Sequence, residues 1–323
     1  MPRSDSAAGL LDRRLIFVTG KGGVGKTSVA AALAMLAARQ GKRTLVCEMD
    51  AKGSLATTFD AGLLAFEPRQ IEPNLFAMTM NTEDSLREYL RLFVKIPFIG
   101  KIGPLARTFD FVADAAPGVK EILAVGKLCH EVRQRHYDLV VVDAEATGHI
   151  VAQIGAPKVI RELVKVGLVR DQTDWMLEIL QNPATTGVAI VTTPEEMPVT
   201  ETLLLIDRLE RETGVAPTTL IANRVLPTLF DSAHAAVVEH LGEAKPKKLL
   251  IAAAGRGVTA VIDAARITES RRSVGAGHLE HLREGAPELP MLMVPELFTR
   301  ATGRRVVALV ADALAAQLVG GIS

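Results

Sequence analysis

The chain has 323 residues, 48% hydrophobic and 23% charged, enough for one large α/β domain with an insertion or for two domains. Lysine plus arginine and aspartate plus glutamate each number 37, so the formal net charge is zero and no global basic field points to nucleic acid as a partner. The two cysteines, Cys47 and Cys129, are too few for a structural zinc set and give no disulfide framework, so a reducing cytoplasm is the expected compartment.

Residues 1–14 carry no long apolar segment, so no signal peptide is read there and a flexible leader is expected. A single domain over 15–323 follows. No apolar run approaches the ~18 residues of a membrane span. Leu15-Ile16-Phe17-Val18 reads as a strand, and Ser28 to Arg39 as an alanine-rich helix stopped by Gly41. Between them lie Gly20, Lys21, Gly22, Gly23, Val24, Gly25, Lys26 and Thr27. Strand, glycine loop and helix in that order are the setting of a P-loop, as a chance glycine-rich turn is not. The glycines let backbone N–H groups turn inward on a phosphate, and the helix that Ser28 opens adds its positive end. These nine residues are the expected nucleotide-binding set. Lys26 is expected on the β- and γ-phosphates of ATP, and the Thr27 hydroxyl on Mg²⁺.

Lys21 is an extra cation inside the loop, and G-K-G-G-V-G-K-T resembles the deviant Walker A loop of the MinD, ParA, nitrogenase iron protein and ArsA group of ATPases. That resemblance implies a dimer in which Lys21 reaches the partner's nucleotide, as an arginine finger does. The plain alternative is a solvated surface lysine. Thr44 to Met49 is the next buried strand, and it ends at Asp50. A carboxylate at the end of a parallel strand beside the P-loop faces the phosphates. The stretch from Glu48 to Leu55 resembles switch I of ArsA and of the ATPase that targets tail-anchored proteins, which implies that Asp50 orients the attacking water. Helix capping or a place just beyond the Mg²⁺ ligands explains Asp50 as well. Ala51 stands where that family has proline, and Lys52 adds a cation that either steadies the nucleotide or pairs with Asp50.

Leu75 to Met80 reads as a third strand, with Asn81-Thr82 starting a helix. Ser85 to Gly126 reads as helical but broken by Pro97, Gly100, Gly103-Pro104 and Pro117-Gly118. Its apolar residues, from Leu90 to Leu105, interleave with Arg87, Arg91, Lys95, Lys101 and Arg107. An apolar stripe with a cationic rim suits a membrane surface or an apolar helix, while ordinary helical packing or a dimer interface suits it equally. Tyr137 to Asp143 is a strand running into an aspartate, a Walker B pattern that puts Asp143 on the water shell of Mg²⁺. Ala144-Glu145-Ala146-Thr147-Gly148-His149 resembles the ArsA switch II, with Gly148 expected to supply a turn and His149 a structural or relay role. Ile150 to Leu180 is a second helical stretch. A helical subdomain is therefore expected from about 82–130 and 150–185.

Gly187 to Thr192 is another strand, followed by Glu201-Thr202. The resemblance places that pair at a dimer border, and a helix cap at Thr200 and Glu201 explains it without one. Thr218 to Asn223 is the next strand. The Asn223 amide offers both donor and acceptor to an adenine edge, and the matching family asparagine does this. Ser232 to Leu241 reads as helical, Leu249 to Ala254 finds no place, and Val258 to Arg283 reads as an exposed charged helix. Leu289 to Val294 is the last strand, and Pro295 resembles part of the loop over the adenine. Arg304 to Leu318 reads as a docked helix rather than a membrane anchor.

The fold class expected is α/β: a P-loop NTPase with a largely parallel twisted sheet flanked by helices and an inserted helical subdomain. The resemblance implies Mg²⁺-dependent ATP hydrolysis in a homodimer, or in a heterodimer with a related ATPase. The expected client is an apolar helix or a membrane protein, with a peripheral place at the membrane as an option. A weakly hydrolysing regulatory subunit and a MinD- or ParA-like positioning ATPase are the alternatives, the latter lacking a basic DNA-binding tail.

Overall fold

The computed structural model describes residues 7–91, 118–164 and 166–319. Among these, strands β1 (Leu15–Gly20), β2 (Thr44–Glu48), β3 (Arg69–Glu72), β4 (Leu75–Thr79), β5 (Leu139–Ala146), β6 (Thr186–Thr192), β7 (Thr219–Val225) and β8 (Met291–Pro295) form one sheet. The order is β3-β4-β2-β5-β1-β6-β7-β8. Every pairing is parallel except β3 with β4. Central parallel strands are covered on both faces, which is why Val140-Val141-Val142 and Leu45-Val46-Cys47 read as unbroken apolar runs.

Alternate residues of β1 sort the core. Ile16 and Val18 face helix α1 (Lys26–Arg39) and the C-terminal helix, whereas Leu15 and Phe17 face the opposite layer. Helix α1 is buried on all sides from Val29 to Ala38, so its alanines suit close packing between sheet and neighbouring helix. Residues 7–14 depart from the flexible leader expected of them. Ala7–Asp12 form a 3-10 turn whose Leu10 and Leu11 are buried in the α1 core, and Arg13 donates to the Pro183 and Gly9 carbonyls at 3.0 and 2.9 Å. Two adjacent leucines outweigh the polar residues before them.

Helices α2 (Ser54–Thr58) and α3 (Thr82–Tyr89) follow β2 and β4. Helix α4 is Val119–Gln134. Most of the interleaved apolar and cationic stripe, from Phe93 to Arg107, lies outside the described residues. The helices on either side of it are tied together, since Lys127 Nζ contacts Glu88 Oε1 at 2.8 Å and Glu131 Oε1 at 2.6 Å. The second helical stretch is two helices, α5 (Thr147–Leu163) and α6 (Leu168–Leu180), with Pro157 accommodated inside α5. Val159, Leu163, Val166 and Val169 are exposed where α5 gives way to α6.

Helix α7 (Glu196–Arg208) begins at an N-cap Glu195. Thr200 and Glu201 therefore lie inside it, and the capping role expected of them does not hold. Thr200 Oγ1 bonds back to the Glu196 carbonyl instead, at 2.9 Å. Beyond β7 come α8 (Ser232–Leu241), α9 (Ala244–Ala254), which takes in the unplaced Leu249 to Ala254, and the long α10 (Gly257–Gly285). Helix α11 (Arg304–Val319) docks on α1 through Val307, Val310, Ala311, Leu314 and Leu318. No helix among the described residues is long and apolar enough to cross a membrane.

Candidate nucleotide site

The site forms where β1 ends between β5 and β6. Gly20 closes β1, and the loop then turns through Gly23 and Gly25 at φ 87° and 94° before α1 begins at Lys26. Gly25 is required twice. Its φ is left-handed, and a Cβ there would stand 2.4 Å from Asn223 Nδ2. Val24 anchors the loop in the core, while Gly22 and Gly23 are exposed. Lys26 Nζ folds back onto the Lys21 carbonyl at 3.2 Å. Burial lowers the Lys26 pKa, Asp143 raises it, and Lys52 lowers it again. Ser28 sits partly buried in the first turn of α1.

Asp143 lies on β5 in register with Val18 of β1 and Glu48 of β2. It is 6% exposed, and the Thr27 side chain lies beside it. Burial pushes its pKa up to about 6, against the opposing pull of Thr27 and then Lys26. A buried carboxylate that is costly to ionise, beside the P-loop threonine, fits a hard divalent cation. Thr27 and Asp143 are the pair that would hold Mg²⁺.

Both switch stretches are braced by residues the sequence did not single out. The Glu48 carboxylate, 2% exposed, takes the backbone N–H groups of Ser54 and Leu55 at 2.8 and 3.4 Å and the Thr79 hydroxyl at 3.1 Å. Asp50, beyond it, is ion-paired with Lys52. On the other side β5 continues to Ala146, and Thr147-Gly148 enter α5 directly. Gly148 therefore opens a helix rather than making the expected turn, because Ala146 is extended and serves as the N-cap. Gln153 Nε2 holds Glu145 Oε1 at 2.7 Å, and the exposed His149 Nδ1 stands 3.8 Å from Glu145 Oε2.

Lys21 is not a free surface lysine: its ammonium is bonded to Glu201 Oε1 of α7. The other oxygen, Glu201 Oε2, accepts from Thr147 Oγ1 at 3.1 Å. One carboxylate thus ties the P-loop to the start of α5. Asn223, at 7% exposure, donates from Nδ2 to the Val24 carbonyl at 2.8 Å and braces the loop from β7. Next to it Arg224 holds a left-handed φ of 58°. A cleft of about 940 Å³ opens there, lined by Arg224, Leu226, Arg271, Leu279, Glu296 and Phe298. Pro295, exposed at the end of β8, lies beside it. The structure brings Lys26, Thr27, Asp143 and Asn223 together and leaves Lys21 and Asp50 each held by a counter-ion. Cys47 and Cys129 are buried, unpaired thiols whose pKa burial pushes up, far from reactive thiolates.

ATPase BagA of Mycobacterium tuberculosis is 31% identical over 226 residues, covering 66% of this chain and 66% of that protein. The chain thus spans just under two thirds of that relative's length. An ASNA1 homolog ATPase of Entamoeba dispar is 26% identical over 254 residues, 66% of this chain and 76% of its own. ASNA1 homolog 1 of Paramecium tetraurelia is 32% identical over 150 residues, 46% of this chain and 44% of its own. The model of the anion-transporting ATPase family, ArsA ATPase, matches residues 13–176 and 165–240, so the chain belongs to that family.

Proposed function

We propose that this protein is a Mg²⁺-dependent ATP hydrolase that works as an ATP-switched dimer and handles an apolar helical or membrane-associated client. The observation that carries the reading is the buried Asp143 carboxylate beside Thr27, next to a glycine loop that bends back on Lys26. Loop N–H groups from Lys21 to Thr27 and the Lys26 ammonium bind the phosphates. Thr27 and Asp143 hold the cation, which when bound neutralises charge on the β- and γ-phosphates. Asp50 orients the attacking water. Asn223 and Pro295 border the base, which enters the cleft beside Arg224. Lys21 leaves Glu201 to act on the nucleotide of the opposite subunit. The exposed valines and leucine between α5 and α6 support a client surface on the helical subdomain of about 82–130 and 150–185.

The test is turnover of Mg·ATP by the full chain, with size determined by light scattering in the presence of a non-hydrolysable analogue. The reading expects hydrolysis, its loss in Lys26→Ala, and ATP-dependent dimers. Lys21→Ala is expected to keep ATP binding and lose turnover. A Lys21→Ala protein that turns over like the parent sinks the trans role. The Asp50–Lys52 ion pair favours a second reading, a weakly hydrolysing subunit of a heterodimer. Absence of turnover that a related subunit restores would select it.

A further inference from the structure

We propose that Lys52 is a phosphate-positioning cation: it gives up the Asp50 carboxylate for the terminal phosphate of ATP, and so frees Asp50 to orient water only when that phosphate is present. The proposal rests on the ATP-hydrolase reading above and assigns a residue that this reading does not use.

Placement comes first. The Met49 N–H donates to the Asp143 carbonyl at 3.1 Å, so the chain leaves β2 directly beside the aspartate that would hold the metal. The Lys52 N–H then closes onto the Asp50 carbonyl at 2.5 Å, a tight turn that lets the two side chains meet. Gly53 follows with φ 74°, and Glu48 grips the N–H groups of Ser54 and Leu55. Both ends of the loop are fixed, and Lys52 projects between them.

Charge is the second ground. The Lys52 ammonium is near enough to depress the basicity of Lys26, after burial, and Glu145 and Glu48 act on it in turn, behind Asp50. It therefore stands within electrostatic reach of the P-loop lysine and of both switch stretches. Its side chain is 73% exposed, and that of Asp50 48%. A pair so exposed is weakly held and easily exchanged. The terminal phosphate of ATP, with three acceptor oxygens and nearly two charges, attracts an ammonium more strongly than one carboxylate does. Lys21, the other extra cation near the loop, is engaged by Glu201 and would act across a dimer, whereas Lys52 acts within its own subunit.

The exchange makes a specific prediction, because ADP lacks the phosphate that draws Lys52 away. Calorimetric titrations of the full chain use Mg·ADP and Mg·AMP-PNP, alongside steady-state ATP turnover. Lys52→Gln is expected to bind Mg·ADP as the parent does. It should bind Mg·AMP-PNP about tenfold more weakly, the size of one charge-assisted hydrogen bond, with KM raised and kcat lowered. Lys52→Arg restores analogue binding. Asp50→Asn, which leaves Lys52 without its carboxylate, binds the analogue more tightly than the parent and does not turn over. The proposal falls if Lys52→Gln keeps the parent's ratio of analogue to ADP affinity. It falls equally if Lys52→Gln turns over faster than the parent, which would make Lys52 a brake. Lys26→Ala separates the two levels. If the parent binds Mg·ATP and Lys26→Ala does not, an unchanged Lys52→Gln ratio overturns this proposal alone. A parent that binds no better than Lys26→Ala overturns the hydrolase reading as well.

Discussion

Asp143 is a buried acid whose folded-state pKa, about 6, lies above its ordinary value. Its contribution to stability is therefore greatest in acid and is lost as pH rises through about 6. Keeping it ionised at neutral pH costs the nucleotide-free protein about 3 kcal/mol. Asp143→Asn removes that cost and keeps a side chain able to meet Thr27. The variant is expected to melt no lower than the parent at pH 7.5, while losing the effect of Mg²⁺ on ATP affinity. Thermal melts at pH 5 and 7.5 check the first point, since the parent alone should lose stability from this group between them. In the parent, Mg²⁺ affinity should fall as pH drops below about 6, because the acid must be ionised to hold the cation. Gly25 makes a second test at this scale. Gly25→Ala meets both a left-handed φ and the Asn223 amide 2.4 Å away, and strain of about 1–3 kcal/mol should weaken ATP binding by tenfold or more. If calorimetry finds ATP binding unchanged, the close fit of the loop against β7 is wrong. The sequence shows Gly25 as a P-loop glycine but not its neighbour. Asn223 reads as a base-edge amide, and the contact that brings it to Val24 spans 199 residues. Only the folded sheet supplies it.

At the scale of elements, the buried strands were legible because a parallel strand covered on both faces has no polar side to confuse its pattern. The antiparallel edge strand β3 was not. Arg69-Gln70-Ile71-Glu72 has one apolar residue, as an exposed edge permits. The junction of β5 and α5 also escaped, since Thr147-Gly148 look like loop residues and become a helix start once Ala146 is extended. The role of α7 lay furthest from view. Its Glu201 bonds Lys21 from 180 residues away and Thr147 from 54. A single substitution tests that tie. Glu201→Gln keeps the helix and the side-chain length but loses the charge that holds Lys21. Such a partly exposed pair contributes about 0–1 kcal/mol, so the melting temperature should hardly move. Amide exchange should nevertheless quicken in residues 20–25 and 146–150 of the nucleotide-free protein, and not in β2 or α11. Equal protection in both proteins would mean that Glu201 carries no restraint.

For the whole molecule, the question is what closes the sheet that carries the site. The C-terminal helix α11 covers the face that α1 also occupies, and it secures the last strand as well. Gln317 accepts from the Met293 N–H at 2.8 Å and donates to the Met293 carbonyl at 2.5 Å, so the side chain stands in for a ninth strand at that residue of β8. Arg39 of α1 reaches Asp312 at 2.8 Å, and Asp60, beyond α2, takes the Arg304 N–H at 3.0 Å. The apolar spacing of this helix was readable, and so was its docked character, but not its use of an amide to finish an edge strand. Val307, Val310, Leu314 and Leu318 are all buried against α1 and the sheet. At about 1.5–3 kcal/mol each, their burial rivals the 5–15 kcal/mol that holds a typical domain together. A chain cut after Gly303 is therefore expected to lose the cooperative urea transition and to bind no Mg·ATP, although every residue of the P-loop and both switches remains. Gln317→Ala should cost far less, about 1–2 kcal/mol from two hydrogen bonds at a strand edge, and leave nucleotide binding intact. If the truncated chain still unfolds cooperatively and binds Mg·ATP, the site stands on β1, β5 and α1 alone, and the last helix is an appendage rather than part of the core.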